Sequence, residues 1–280
     1  MKVSLILTVY NEESNIAEFV SSVNNQSRRP DELIIVDGGS SDNTVRKFKQ
    51  CIHESINVKV IIDKRLNKAQ SSGPIAAGRN TAIEHVTNEV VLVTDAGCVL
   101  SENWVQELVL RFDSGADVVC GNYLGKHGNK LQNRLAEIFC PPDREFSKEN
   151  FLPSSRSLGF KKNLWQAVGG YPTNSYTAED TMFARCLYKE ATNVKFAPSA
   201  IVYWELPGSY KELWVKVFNY GVGDAIQNLD ALKYLARLII VTFPMIYLLL
   251  VVFYKKRWIG YVIYLAQVSG YISGKLRLLS

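Results

Sequence analysis

The chain has 280 residues, 47% hydrophobic and 21% charged. That length suits one large domain or two small ones, and the composition excludes a disordered chain. The formal charge of +5 sits in the tail, where seven Lys and Arg and no acid follow Asp230; residues 1–230 hold 25 Lys and Arg against 27 Asp and Glu, a net of −2, and offer a nucleic acid no basic stripe.

In chain order, residues 3–9 (VSLILTV) form an apolar, β-branched run that reads as a first strand rather than a signal peptide, since acidic residues close it and no small-residue cleavage site follows. Residues 13–25 carry Ile16, Phe19, Val20 and Val23 at helical spacing. Residues 33–37 (LIIVD) predict a second strand ending in an acid, GGSSDNT a turn, and Thr44–Gln50 a helix. Val58–Ile62 predicts a third strand, Asn80–His85 a helix, Val90–Asp95 a fourth strand and Val118–Gly121 a fifth. Alternating strands and helices imply a mostly parallel sheet between helical layers, with ligands beyond the carboxyl ends of its strands. Three polar clusters fall there: Tyr10–Glu12, Asp37–Asp42 and Asp95–Gly97. Residues 122–160 are irregular and read as an acceptor-facing loop or a linker with a short helix. The five cysteines include no CxxC pair and read as buried free thiols in a reducing compartment.

The tail, residues 231–280, holds two uncharged stretches, Leu238–Tyr254 and Trp258–Gly274, flanking Lys255–Arg257. Three readings stand: a pair of spanning helices near the lower length limit, a hairpin lying in the membrane interface, or a soluble helix pair. The aromatics Tyr247, Phe253, Tyr254, Trp258, Tyr261 and Tyr264 favour a membrane interface. Residues 1–230 are thus expected to form the functional domain and 231–280 its membrane anchor.

Strand ends reading TVYNEE, VDGGSSD and TDAGC, followed by the later AED at residues 178–180, together resemble the inverting family-2 glycosyltransferases of the GT-A fold over roughly residues 2–225. Gly78-Arg79-Asn80, Val168–Pro172, Trp204 and Tyr220–Asp224 are similar to the family as well. The resemblance implies a Rossmann-type mixed sheet flanked by helices, followed here by membrane-associated C-terminal helices. It implies transfer of a sugar from a nucleotide-sugar donor to an acceptor hydroxyl with inversion; the basic apolar tail is expected to hold that domain at the cytoplasmic face of the cell membrane, a placement that suits a lipid-linked or growing polysaccharide acceptor, in polysaccharide or glycolipid synthesis.

Residue by residue, Asp95 matches the first acid of the family's DxD-like motif, with Gly97 in the second acid's place. It is the expected ligand of Mg²⁺ or Mn²⁺ and of the nucleotide, with a turn or cap role as the plainer reading. Asp37 matches the acid that contacts base or ribose; Thr8, Tyr10 and Glu12 match the opposite wall of the nucleotide pocket. Tyr10 stacks on the base or packs in the core, and Arg79 reaches the diphosphate or makes a salt bridge. Asp180 matches the base that takes the acceptor proton, and Glu179 an acceptor-binding neighbour; both also suit a helix N-terminus. Trp204 stacks on an acceptor sugar or fills the core. The competing class is a non-catalytic sugar-nucleotide or glycan-binding scaffold. A dinucleotide enzyme is disfavoured because no GxGxxG follows a strand.

Overall fold

In a computed structural model, residues 1–141, 146–147, 151, 153–254 and 258–279 are described. The chain divides into two compact units. One comprises Met1–Thr173 and Asp180–Leu206, the other Asn174–Glu179 and Pro207–Ser280.

The first unit alternates strands and helices as the sequence pattern predicts. β1 (Val3–Val9), α1 (Ile16–Asn24), β2 (Glu32–Asp37), α2 (Thr44–Cys51), β3 (Asn57–Ile62), α3 (Pro74–His85) and β4 (Val90–Val93) follow one another. Then come β5 (Cys98–Leu100), α4 (Trp104–Asp113), β6 (Val118–Gly125), α5 (Lys130–Phe139), β7 (Leu158–Lys161) and α6 (Lys162–Ala167). α7 (Glu179–Glu190) and β8 (Val194–Trp204) complete the sheet, which has eight strands in the order β3-β2-β1-β4-β7-β6-β8-β5.

β1 to β4 run parallel, but β7 runs antiparallel to both β4 and β6, and β5 antiparallel to β8. The sheet is therefore mixed but still mostly parallel: β6 pairs parallel with β8, and only β7 and β5 run against the other six strands. β1, β2 and β4 are apolar on both faces, as burial on both sides requires, whereas β3, at the end of the sheet, is largely exposed. Ile6, Ile34, Val36, Val91 and Val93 share one core with Ala76, Ala82 and Ile83 of α3 and Phe183 and Leu187 of α7. The alternate residues point to the opposite face. There Gly159 lets Phe112 of α4 and Leu92 of β4 close in, at 2.8 and 3.0 Å from where a Cβ would stand.

The second unit contains α8 (Tyr210–Ile226), α9 (Ala231–Thr242), α10 (Pro244–Tyr254) and α11 (Ile259–Arg277). α8 and α11 pack through small residues. A Cβ on Gly221 would lie 2.1 Å from the Gln267 carbonyl oxygen, and one on Gly270 2.0 Å from that of Phe218. The Tyr220–Asp224 stretch is thus a helix-packing surface, and its Gly223 also abuts Thr177. The compositional break at Asp230 falls within this unit.

The first predicted 17-residue stretch is broken at Phe243: Pro244 has no amide hydrogen to continue α9, and α9 and α10 meet at 97°. Among the described residues no single helix is long and apolar enough to cross a membrane, although this bent pair passes together. The Lys255–Arg257 charges and the Phe253 and Tyr254 rings lie outside the described side chains. Tyr247 is buried, ringed by Trp258, Tyr261 and Tyr264. Three of the five cysteines are buried free thiols; Cys51 is exposed and Cys186 half-buried.

Candidate active site

The loops that follow β1 and β2 are bound to each other. Asn11, at φ 54°, donates its backbone N–H to Ser40 Oγ at 2.9 Å, and its Oδ1 accepts from the Ser41 amide at 2.9 Å. The Glu12 amide donates to Thr44 Oγ1 at 2.8 Å. These ties bring the Tyr10–Glu12 and Asp37–Asp42 clusters together. Asp37 is buried, and its carboxylate accepts from the Gly39 and Ser40 amides, so it shapes its own turn. Tyr10 is 45% exposed beside Gly38, which excludes the core reading of its ring. Thr8, on β1, packs its methyl against Gly78 of α3. Glu12 is half-buried and accepts from Asn15 Nδ2 at 2.9 Å. Burial pushes its carboxyl above the usual range, and the nearby Asp95, Asp42 and Glu205 charges push the same way.

Asp95 follows β4. Arg79 of α3, itself buried, donates through Nη2 to Asp95 Oδ1 at 2.7 Å and lies over the Tyr171 ring. Arg79 is thus a buried ion-pair partner rather than a surface one. A second guanidinium, not anticipated from the sequence, approaches the other oxygen: Arg156 Nε lies 3.8 Å from Asp95 Oδ2. Its position follows from strand direction. β7 pairs antiparallel with β4, Val93 opposite Leu158, and continuing that register by two residues sets Arg156 opposite Asp95. The guanidinium stacks on the Trp204 ring, 4.0 Å from its centroid, and Nη1 donates to Ser154 Oγ at 2.8 Å. Ser154 Oγ in turn donates to Asp180 Oδ2 at 3.4 Å.

Asp95 and Asp180 therefore belong to one polar array, through Arg156 and Ser154. Asp180 Oδ1 accepts from the Thr181 amide at 2.8 Å, and the side chain remains half-exposed. Ala178, two residues earlier, is held at φ 70°, a conformation costly for a residue with a Cβ. The two acceptor-binding candidates differ from Asp180 in exposure: Glu179 is 5% exposed and Trp204 7%. Trp204 also carries Arg156 on a face and the edges of Tyr123 and Phe139.

The supporting motifs meet as well. Asn80 of α3 accepts through Oδ1 from Trp165 Nε1 and the Tyr171 amide, and donates through Nδ2 to the Tyr171 carbonyl, at 2.8–2.9 Å. This fixes α3, and with it Arg79, against the Gly169-Gly170 turn.

A hard divalent ion prefers several oxygen ligands. Here both oxygens of Asp95 face arginines, and Gly97, in the second acid's place, has only open space around it. Among the described residues no group of three His, Cys, Asp or Glu side chains is placed to hold an ion. These residues do not form a resident metal site.

Residues 4–176 match the model of a protein family described as glycosyl transferase family 2. The chain is 24% identical over 227 residues to glycosyltransferase AglE of Haloferax volcanii, covering 79% of this chain and 72% of that one. It is 28% identical over 213 residues to a poly(ribitol-phosphate) beta-glucosyltransferase of Bacillus spizizenii, covering 73% of this chain but 32% of the relative. Among solved structures, a Pyrobaculum calidifontis mannosyltransferase in complex with GDP-Man and Mn²⁺ superposes with a TM-score of 0.66 at 19% identity, over 98% of this chain and 86% of that one. S. aureus TarS 1–349 in complex with UDP superposes with a TM-score of 0.59 at 22% identity, over 82% and 67%.

Proposed function

The chain belongs to glycosyl transferase family 2, and on that premise we propose that it moves a sugar from a nucleotide-sugar donor to an acceptor hydroxyl with inversion at the anomeric carbon. The observation that carries this reading is the array Asp95–Arg156–Ser154–Asp180 beyond the carboxyl end of β4, in the middle of the sheet. It combines a cationic region for a leaving diphosphate with a carboxylate open to an acceptor.

Asp180 takes the acceptor hydroxyl proton as the oxygen attacks, while Ser154 and the Thr181 amide hold its carboxylate in place. The developing charge on the departing nucleoside diphosphate is met by Arg79, beside Asp95. The nucleoside lies against Thr8, Tyr10, Glu12 and the Asp37 turn, with the Tyr10 ring free to stack on a base. Trp204 and Glu179 are assigned to the acceptor side by resemblance; their burial makes them supports of that side rather than open contacts. The expected Mg²⁺ or Mn²⁺ meets one carboxylate that is already paired, and no step is routed through it.

The acceptor is a glycan or a lipid-linked glycan, in cell-surface polysaccharide or glycolipid synthesis. Relatives whose names specify poly(ribitol-phosphate) and diphospho-undecaprenol acceptors support that class. The 231–280 segment attaches the 1–230 domain to the cytoplasmic face of the cell membrane. Its support is a tail with seven positive charges and no acid.

The test is a donor panel read by nucleoside diphosphate release, with the product's anomeric configuration read by NMR. Asp180→Asn is expected to lower kcat about 10²–10⁴-fold with donor affinity retained. Turnover within a few-fold of the parent would remove Asp180 as the base. Retention of anomeric configuration would remove the inverting mechanism.

A further inference from the structure

Asp180 is the second residue of α7, and the six residues before it belong elsewhere: Asn174–Glu179 are part of the helical unit, and at Asp180 the chain returns to the sheet unit. Within the helical unit that short segment is clasped by α8. Gln227, immediately after α8, donates through Nε2 to Asn174 Oδ1 at 2.6 Å and to Ser175 Oγ at 2.7 Å. Ser175 Oγ donates onward to the Thr177 carbonyl at 2.9 Å, and Thr177 Oγ1 donates to the Asn219 carbonyl of α8 at 2.6 Å. Gly223 permits this approach, since a Cβ there would collide with both the hydroxyl and the carbonyl oxygen of Thr177.

The next residue, Ala178, is buried and lies at φ 70°. A residue with a Cβ keeps that conformation only where its surroundings impose it. Further along the chain, Phe183 and Leu187 fix α7 in the core of the sheet unit, with Phe183 stacked on Tyr171. Asp180 stands between these two anchorages along the chain. Its own side chain is held more lightly, by the Thr181 amide at 2.8 Å and Ser154 Oγ at 3.4 Å. The aim of its carboxylate therefore depends on the backbone that enters α7, which the Thr177 bond sets one residue before the left-handed turn. A general base works only within hydrogen-bond reach of the proton it takes, so a small displacement costs turnover rather than donor binding.

We propose that Thr177, braced by Ser175 and Gln227, is a positioning residue for Asp180, through which α8 aims the base at the acceptor. The inference rests on the glycosyltransferase reading above and adds residues which that reading does not require.

The test uses the full-length protein and the sugar nucleotide that turns over in the donor panel, with water as acceptor, because a water proton also passes to Asp180. Thr177→Val keeps the shape of the side chain and removes its O–H. It is expected to lower kcat about 10- to 100-fold while the donor KM stays within about twofold. Thr177→Ser restores the hydroxyl and is expected to bring kcat back to within about threefold of the parent. In an Asp180→Asn background, Thr177→Val should have no further effect, since a residue that acts through the base then has nothing to place. Gln227→Met removes the brace, should act in the same direction, and replaces Thr177→Val if that variant does not fold. A kcat within about twofold of the parent in the folded variant overturns the proposal. So does an equal loss in the Asp180→Asn background, which marks a residue that only supports the fold. Parent-like turnover by Asp180→Asn alone would instead remove the base on which the proposal rests, an outcome distinct from a parent-like Thr177→Val.

Discussion

Burial lifts the Glu12 carboxyl above the usual carboxylate range, and Asp95, Asp42 and Glu205 push it further the same way, against one stabilising hydrogen bond from Asn15. An acid whose folded pKa is raised holds its proton more tightly in the native state. Its contribution to stability is full below the unfolded pKa and is lost as pH rises through the folded one. Glu12→Gln removes that titration while keeping an acceptor for Asn15. The variant is expected to melt higher than the parent at pH 7–8, with the difference shrinking as pH falls toward the ordinary glutamate range near 4.5. A gap that widens on acidification would show that the charged form is the stabilising one. At this scale Asp37 and Asp95 were legible because each stands at the end of a recognisable apolar run, while Asp180, after the polar stretch TNSYTAE, was reached only through the family resemblance. Arg156 was not, since nothing local marks an arginine in a serine-rich segment as facing a strand end 61 residues earlier in the chain.

At the scale of elements, the ladder decides what the site contains. β7 has four residues and β5 three, too short for alternation to show against their surroundings. β8 was hidden for another reason. Its register against β6 jumps from Ala197 opposite Gly121 to Ile201 opposite Asn122, so Pro198, Ser199 and Ala200 are extra residues in the strand. A proline in the middle of a strand argues against it unless a bulge releases its missing donor. The strands with continuous β-branched runs, β1, β2 and β4, were legible because both of their faces are buried. α3 shows how such elements are then locked. Asn80 makes three hydrogen bonds to Trp165 and Tyr171, and Gly170 at φ 79° comes so close that a Cβ would lie 2.8 Å from Asn80 Oδ1. Asn80→Ala is expected to cost about 2–3 kcal/mol in urea unfolding, given roughly 1 kcal/mol per hydrogen bond plus partners left unmet. It should also weaken diphosphate binding through the displaced Arg79. A loss below about 0.5 kcal/mol would mean that the turn holds α3 without this clamp.

At the scale of the whole chain, the division of charge sets the final question, how the basic segment meets a membrane. α9 has 12 residues and α10 has 11, or about 18 and 16 Å at 1.5 Å per residue, and neither alone crosses a hydrocarbon layer of about 30 Å. α9 turns Tyr234 inward, where its hydroxyl donates to Asp224 at 2.6 Å and its ring stacks on Tyr271. The opposite stripe, Leu232, Leu235 and Ile239, is exposed, as are Phe243 and Met245 at the bend and Leu249 and Val252 of α10. An apolar stripe and bend beside basic residues suits insertion into one leaflet, with the cations at lipid phosphates. Removing residues 231–280 is a poor test, because α11 closes on Gly221 of α8 and its loss would uncover that helix. Substitutions on the exposed stripe avoid this. The full-length protein is expected to sediment with vesicles containing phosphatidylglycerol more than with neutral phosphatidylcholine vesicles. The triple variant Leu235→Glu, Phe243→Glu and Leu249→Glu should lose that binding while melting like the parent, since all three side chains already face solvent. If the triple variant sediments undiminished, the α9–α10 bend is not the membrane contact. If it fails while the parent's binding is abolished by moderate salt, electrostatic attraction brings the chain to the surface and the apolar stripe holds it there.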